Sequence, residues 1–422
     1  MKIKFTTFFC LFLFFLSFTQ ALTINIGFPL KISELLLMVI IILYLFVGYL
    51  PKEYLYIVLN SKSLVFFLLW ALLSFGINSF WQYDYSLKKI PFRLNAIGDS
   101  FLRLCYIYLN ILAFFISCYF ISKSTNILKY FVIGAVIASC YSWYLFVSSA
   151  LGFPYIKLFG MESSPQKLFG IIRCGTFKEG NFLGLFLILS AAVAFFKQNL
   201  KAGWFLLFTI ITTMSTISMV SGIVFLIFIY RKKLFTGKVL IIYPLIIISC
   251  LFFIKTEYFQ RYVEKKIFQP VSNLTTSNFS KVDRYITGRI AYKEGLDNPL
   301  LGVGPYNYAL HYDHYNDYKK VVKNPSKWFD NFIARNNVRG ITNNVYLEVW
   351  SEYGIVGFII FLFFLVKTVI IAFKNKDDYI TGGIIATLIS FNAFPSFIML
   401  FIWVFFAIPY AMCYQKKISN VF

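Results

Sequence analysis

Thr342-Asn-Asn-Val-Tyr-Leu-Glu-Val-Trp-Ser-Glu-Tyr-Gly-Ile-Val-Gly357 opens on polar residues, gathers two carboxylates and runs straight into an apolar stretch that reaches residue 373. Thr342 or Asn343 is a good cap for a helix that starts here and continues into a membrane span. On that helix Asn344, Glu348 and Glu352 recur every four residues and form one polar stripe, and Asn343, Leu347, Trp350 and Gly354 form another. Two carboxylates where a helix enters a bilayer are costly unless they are satisfied or used. The alternative is a solvated face just above the membrane.

The same transition from polar to apolar recurs along the chain. Of 422 residues 59% are hydrophobic, 52 are Phe and only 14% are charged, more apolar surface than a soluble fold of this length can hide. A spanning helix needs about 20 apolar residues. Twelve candidate spans lie near residues 5–22, 32–50, 63–80, 103–121, 127–150, 181–197, 202–214, 218–230, 238–255, 354–373, 379–393 and 395–412. The expected fold class is therefore an all-α polytopic membrane protein with one large extracytoplasmic loop between spans nine and ten. Residues 1–255 would hold spans one to nine, with outward loops at 81–102 and 151–180. Residues 256–353 would form the large loop, and 354–422 the last three spans and a short cytoplasmic tail.

Segment 202–230 is too short for two full spans at about 1.5 Å per residue. It is one long helix, or two short ones broken at Ser215-Thr-Ile-Ser218. Two helices put Lys2 and Lys4, Lys52 and Lys62, Lys123, Lys197 and Lys201, Arg231-Lys-Lys233, Lys374 and Lys376, and Lys416-Lys417 all on the cytoplasmic side, as the positive-inside rule requires. Two is therefore the expectation, with both termini cytoplasmic. Lys2 and Lys4 before a Phe/Leu run imitate a secretory signal, but 5–22 is long enough to span, so an uncleaved first helix is expected.

A net charge of +22 would suggest nucleic acid in a soluble protein. Here much of it sits at helix ends, where orientation and anionic membrane lipid account for it, and no nucleic-acid partner is expected. The seven cysteines show no CxxC spacing and lie mostly in apolar runs, as small core residues do. His311-Tyr-Asp-His314 lacks the second ligand pair of a metal site, and neither metal nor cofactor is expected. Basic residues in the outward segments (Lys88, Lys89, Arg93 and Arg103; Lys157, Lys167, Arg173 and Lys178) run against the charge bias. They either snorkel to headgroups or hold an anion such as a lipid diphosphate.

A second motif runs Thr287-Gly-Arg-Ile-Ala-Tyr-Lys-Glu-Gly-Leu-Asp-Asn-Pro-Leu-Leu-Gly-Val-Gly-Pro-Tyr306. Its first half reads as a helix with Ile290, Ala291, Gly295 and Leu296 on one side, ended by Asp297-Asn298-Pro299 because the residue before proline avoids the α region. Gly302-Val-Gly304 allows either a plain tight turn or close approach of a ligand to backbone amides. It lacks the Lys-Ser/Thr of a phosphate loop.

These residues carry a resemblance. Arg173-Cys-Gly-Thr-Phe-Lys-Glu-Gly-Asn181, Thr287-Gly-Arg…Asn298-Pro-Leu-Leu-Gly-Val-Gly304 and Asn343-Asn-x9-Gly354-x-x-Gly357 resemble segments of the O-antigen ligase/O-antigen polymerase superfamily of bacterial envelope proteins. These are twelve-helix membrane enzymes with a large outward loop between the ninth and tenth spans. Asn343 stands where a ligase of that superfamily has its functional histidine. An amide is no general base at neutral pH, so the resemblance points to the polymerase branch, with a ligase or related oligosaccharyltransferase as the alternative.

The resemblance implies a glycosyltransferase in the bacterial inner membrane. It would move a glycan from undecaprenyl diphosphate to a sugar hydroxyl of the next lipid-linked repeat unit. Partners implied are that undecaprenyl-diphosphate-linked oligosaccharide, membrane lipid and a chain-length regulator protein. Arg173 and Arg289 would hold diphosphate, with Lys178 and Arg284 in support and Gly302 and Gly304 in the turn beside it. Glu348 would act as base or orient the acceptor, Asn343 and Asn344 would hydrogen-bond sugar, and Tyr306 and Tyr346 would stack on sugar faces. A flippase or other transporter is the rival of another class, but it needs no long ordered outward loop and would show a repeat between its halves, and none is visible.

Overall fold

A computed structural model describes residues 5–19, 21–25, 29–47, 52–80, 95–161, 165–234, 255, 279–322, 327–333 and 340–419. The expected ninth span, near 238–255, lies outside them apart from its last residue. The helices described are α1 (Phe5–Phe15), α2 (Ile32–Val47), α3 (Lys52–Asn60), α4 (Lys62–Phe80), α5 (Ala96–Lys123), α6 (Leu128–Ala150), α7 (Gly180–Phe196), α8 (Leu200–Thr209) and α9 (Thr216–Leu234). They continue with α10 (Phe279–Asp297), α11 (Tyr308–Tyr315), α12 (Tyr318–Val321), α13 (Lys327–Ile333), α14 (Val345–Lys374), α15 (Asp378–Ser390) and α16 (Leu400–Ser419). Two short antiparallel ladders join them, Thr23–Asn25 with Pro29–Lys31 and Lys167–Leu168 with Ile171–Ile172.

Among the described residues four helices are long and apolar enough to cross a membrane: Lys62–Phe80, Ala96–Lys123, Thr125–Ala150 and Val345–Lys374. Several other apolar helices are shorter, between 10 and 17 residues. The described chain is thus all-α, with several helices of spanning length and hydropathy. The first expected span is cut short, because its helix ends at Phe15 and Leu22 takes a left-handed φ of 58° before the first ladder.

The chain forms two compact units. One comprises Met1–Leu68, Cys105–Ile229 and Ile360–Phe422, the other Leu69–Leu104 and Tyr230–Ile359. In the first unit α7 is buried on every side from Gly180 to Phe195, as a helix apolar all round must be. α1 approaches α6 so closely that a Cβ on Gly134 would lie 2.3 Å from the Phe14 carbonyl oxygen, the small-residue contact typical of membrane helices. Segment 202–230 is two helices. α8 tightens into a 3-10 turn at Ile210–Thr213, Met214 turns left-handed (φ 47°), and α9 follows. The break falls just before the expected Ser215 because the Thr212 and Thr213 hydroxyls donate back to the Thr209 and Ile210 carbonyls, at 2.8 and 2.7 Å.

In the second unit the polar stretch is itself folded. α10, α11, α12 and α13 enclose a core of Val282, Ile286, Ile290, Tyr308, Tyr312 and Phe329 with their neighbours. α10 ends at Asp297, ahead of Pro299 as expected. Leu296 is half exposed rather than on the packed face, because Gly295 takes the contact instead: a Cβ there would lie 2.0 Å from the Trp350 indole nitrogen. α5 begins at Ala96, inside what reads as an outward loop. Asn95 starts it early, its Oδ1 accepting the Gly98 N–H at 2.6 Å.

Candidate active site

The two motifs meet at a break in α14. Gly354 has φ 65° and ψ −171°, outside the helical region, and each carbonyl that the break releases finds a partner. The Ser351 carbonyl accepts the Val303 N–H at 2.9 Å and the Glu352 carbonyl accepts the Gly304 N–H at 3.0 Å. The Tyr353 carbonyl accepts the Trp70 indole N–H at 2.9 Å. The Ile355 N–H turns to the Pro299 carbonyl at 2.7 Å. From α4, the Ser74 hydroxyl donates to the Leu301 carbonyl at 2.8 Å and the Asn78 amide to that of Gly302 at 3.3 Å. A helix can break in apolar surroundings only if its freed backbone groups are re-satisfied in this way.

That geometry decides between the two uses of Gly302-Val-Gly304. The Gly302 N–H donates to the Asn298 carbonyl at 3.0 Å and the Gly304 N–H to Glu352, so both amides point into protein. Both residues are left-handed (φ 65° and 91°), and a Cβ on Gly302 would lie 2.4 Å from the Glu352 carbonyl carbon. The glycines let backbone meet backbone, and the segment is a turn clamped onto the break rather than an anion cradle. Gly357 serves the same joint, since its Cβ would lie 2.9 Å from the Trp70 indole.

The start of α14 is fixed to α10. Its cap is Asn344, not Thr342 or Asn343: Asn344 Oδ1 accepts the Leu347 N–H at 3.1 Å. Asn343 is left-handed (φ 54°) and its Nδ2 donates to Asp283 Oδ2 at 3.0 Å. The Thr287 hydroxyl lies 2.8 Å from the Asp283 carbonyl and 3.1 Å from that of Thr342. Tyr346, on the first turn, is half buried.

Below this turn the carboxylate stripe is buried, not solvated. Glu348 forms an ion pair with Arg103 of α5, their side chains 4% and 15% exposed. The Arg103 guanidinium also lies over the Tyr306 ring, 5.3 Å from its centroid, a cation–π contact. Tyr306 is held there with a left-handed φ of 64°, and the Ser100 hydroxyl donates to the preceding carbonyl, Pro305, at 2.6 Å. Glu352 and Glu294 are buried in the same region. Burial, with the charge of Glu352 adding to it, pushes the Glu294 carboxyl well above the usual carboxylate range.

The other expected residues lie elsewhere. Arg289 and Lys293 share one carboxylate: Arg289 Nη2 donates to Asp317 Oδ2 at 2.8 Å and Lys293 Nζ at 2.7 Å. Partial burial works to raise the Asp317 pKa, but those two hydrogen bonds hold it below the usual range. Arg284, on the same helix, is half buried. His311 is buried in α11, and burial, with His314 nearby, brings its imidazole down to about 4, so it is neutral at pH 7.

In the first unit, Arg173 follows the second ladder and lies beside Gly180, the first residue of α7. Its Nε donates to Gln166 Oε1 at 2.9 Å, and the same oxygen accepts the Gly180 N–H at 3.0 Å. Its Nη1 lies 3.4 Å from the Met214 carbonyl at the α8–α9 break. The following Gly-Thr-Phe is a structural wedge: Gly175 is left-handed (φ 54°), the Thr176 hydroxyl donates to the Ser17 carbonyl at 2.6 Å, and Phe177 packs on Phe186. Lys178 is exposed.

Sequence reasoning noticed Arg103 and Glu352 but gave neither a place in the site, and it missed Glu294, Asp283 and Asp317. The signal for Arg103 was present: an ionisable residue inside an apolar helix needs a partner. Residues 202–362 match the family model described as O-antigen ligase. No curated protein matches the chain.

Proposed function

We propose that this chain, which belongs to the O-antigen ligase/polymerase superfamily, is a repeat-unit polymerase of the bacterial inner membrane. The segment 256–353 faces outward, and both termini are cytoplasmic. The enzyme transfers a glycan from undecaprenyl diphosphate to a sugar hydroxyl of the next lipid-linked repeat unit. The leaving diphosphate needs charge stabilisation more than it needs protonation. Arg173 and Arg289 are each candidates to supply it, with Lys178 and Arg284 in support. Glu348 orients or deprotonates the acceptor, Asn343 and Asn344 hydrogen-bond sugar, and Tyr306 and Tyr346 stack on it. A chain-length regulator is the expected protein partner.

Asn343 carries the choice of polymerase over ligase. It occupies the position of the ligase histidine, and an amide whose Nδ2 bonds Asp283 has no proton-transfer role. The family match, described as O-antigen ligase, keeps transfer to a lipid A core or to protein as the second reading. A deletion strain separates them. A single capped repeat supports the polymerase, long unattached polymer supports a ligase, and cytoplasmic lipid-linked units without surface glycan support a flippase. Truncating Arg173 or Arg289 to Ala in a complemented strain shifts long chains to single repeats while the protein stays in the membrane; unchanged chain length sinks those two assignments.

A further inference from the structure

We infer that Arg103 is a positioning residue for the transfer: its guanidinium fixes the Glu348 carboxylate and the Tyr306 ring beside one another. The inference rests on the polymerase reading for the role of Glu348, and it adds a residue that neither motif contains. Arg103 lies about two turns into the apolar helix α5, and Glu348 is one turn into α14. They form an ion pair with the carboxylate almost wholly buried. Such a pair is a poor source of stability, because apolar side chains of similar volume do as well or better. What it provides is orientation. The guanidinium contacts the carboxylate and lies over the aromatic ring at the same time, and so ties together the ends of two segments far apart in sequence. The groups that face Arg103 are the Glu348 and Glu352 carboxylates and the Tyr353 phenol from α14, and the Tyr306 phenol from the turn.

In the transfer, the acceptor hydroxyl oxygen forms the new bond to the anomeric carbon. The bond from that carbon to the diphosphate oxygen breaks, its electron pair leaving with the diphosphate. The hydroxyl proton passes to Glu348. Arg103 touches neither sugar nor diphosphate in this scheme; it keeps the carboxylate aimed and the Tyr306 ring from turning.

The test is a double-mutant cycle on the full-length protein, reconstituted in vesicles with a synthetic lipid-diphosphate-linked repeat unit. Glu348→Gln and Arg103→Gln should each lower kcat about 100-fold, the scale of a lost proton-transfer group. The double variant should be no slower than the worse single one, because both remove the same interaction. Arg103→Lys should recover about tenfold, since it keeps the charge but not the planar fork. Losses that multiply in the double variant overturn the inference, since Arg103 then acts on its own, as a diphosphate ligand would. So does a drop in melting temperature in Arg103→Gln that accounts for its lost activity while Arg103→Lys rescues nothing, or full activity in Glu348→Gln. A wild-type protein that joins glycan to another acceptor but never lengthens it overturns the polymerase reading alone, and the cycle is then run on that reaction. Absence of any transfer overturns both.

Discussion

Gly354→Ala should be among the most damaging single-methyl changes in this protein. Two costs add. With φ 65° and ψ −171° the residue occupies a region open in practice only to glycine, and such strain costs about 1–3 kcal/mol. The new Cβ would lie 2.2 Å from the Leu300 carbonyl oxygen, 2.5 Å from its carbon and 2.7 Å from the Pro299 carbonyl oxygen. These are backbone atoms, and Pro299 is held by the Ile355 N–H, so no side-chain rotation relieves the clash. Overpacking of this kind costs about 1–3 kcal/mol more. The sum, roughly 2–6 kcal/mol, is a large share of a typical folding free energy of about 5–15 kcal/mol. Two controls isolate the contributions. Gly170 is also left-handed (φ 82°) but has nothing within 4 Å of its Cβ, so Gly170→Ala should lose only about 1–2 kcal/mol. Gly76, within α4, has ordinary φ and open space, so Gly76→Ala should be neutral or stabilising by up to about 1 kcal/mol. Melting temperatures of the purified proteins in one detergent should fall in the order Gly76→Ala, Gly170→Ala, Gly354→Ala. If Gly354→Ala melts with Gly170→Ala, the break in α14 is not locked by the 299–304 turn and the reasoning fails.

Buried His311 takes up its proton only at about pH 4, whereas the unfolded chain does so near 6.5. Stability should therefore decline as pH falls from 6.5 towards 4, by up to about 3 kcal/mol; His311→Gln should flatten that part of a melting-temperature profile, and an unchanged slope would exclude His311 as its source. Glu294 works in the opposite sense. Its folded pKa is raised, so its ionisation adds no cost below the unfolded value of 4.5 and increasingly destabilises the fold as pH rises above it. Glu294→Gln should accordingly raise the melting temperature at pH 7.5 and leave it unchanged near pH 4; equal values at pH 7.5 would contradict this. Asp317→Asn should cost less than about 1 kcal/mol, because the pairs it removes are partly exposed. By releasing Arg289 and Lys293 it should tighten binding of the lipid-diphosphate donor if Arg289 grips it, whereas weaker donor binding would show that Asp317 holds Arg289 in its working pose.

How far the sequence could be read follows from which interactions are local. Apolar runs, caps and prolines act within a few residues. The end of α10 before Pro299 and the division of 202–230 into two helices were accordingly legible, although the Thr212 and Thr213 hydroxyls moved the second break to Met214. The family motifs were legible as well, because their spacing is a property of the chain. Their use was not. Gly302 and Gly304 are equally suited to cradling phosphate or to letting two backbones touch, and only the position of the Ser351 and Glu352 carbonyls settles it. Arg289 reads as a grip for an anion, and only the fold shows that Asp317, supplied from the start of another helix, already pairs with it.

Hydropathy, motif spacing and residue identity need no partner to be read, so the apolar helices, the resemblance to the O-antigen ligase/polymerase superfamily and the Asn343 that stands at that resemblance's histidine position were legible from the chain alone. The tertiary structure alone decided that α14 breaks at Gly354, that the carboxylate stripe is buried and that Arg103 answers Glu348. Each of these depends on which backbone groups and charges meet across hundreds of residues, and burial makes such meetings obligatory without revealing from the sequence where they occur.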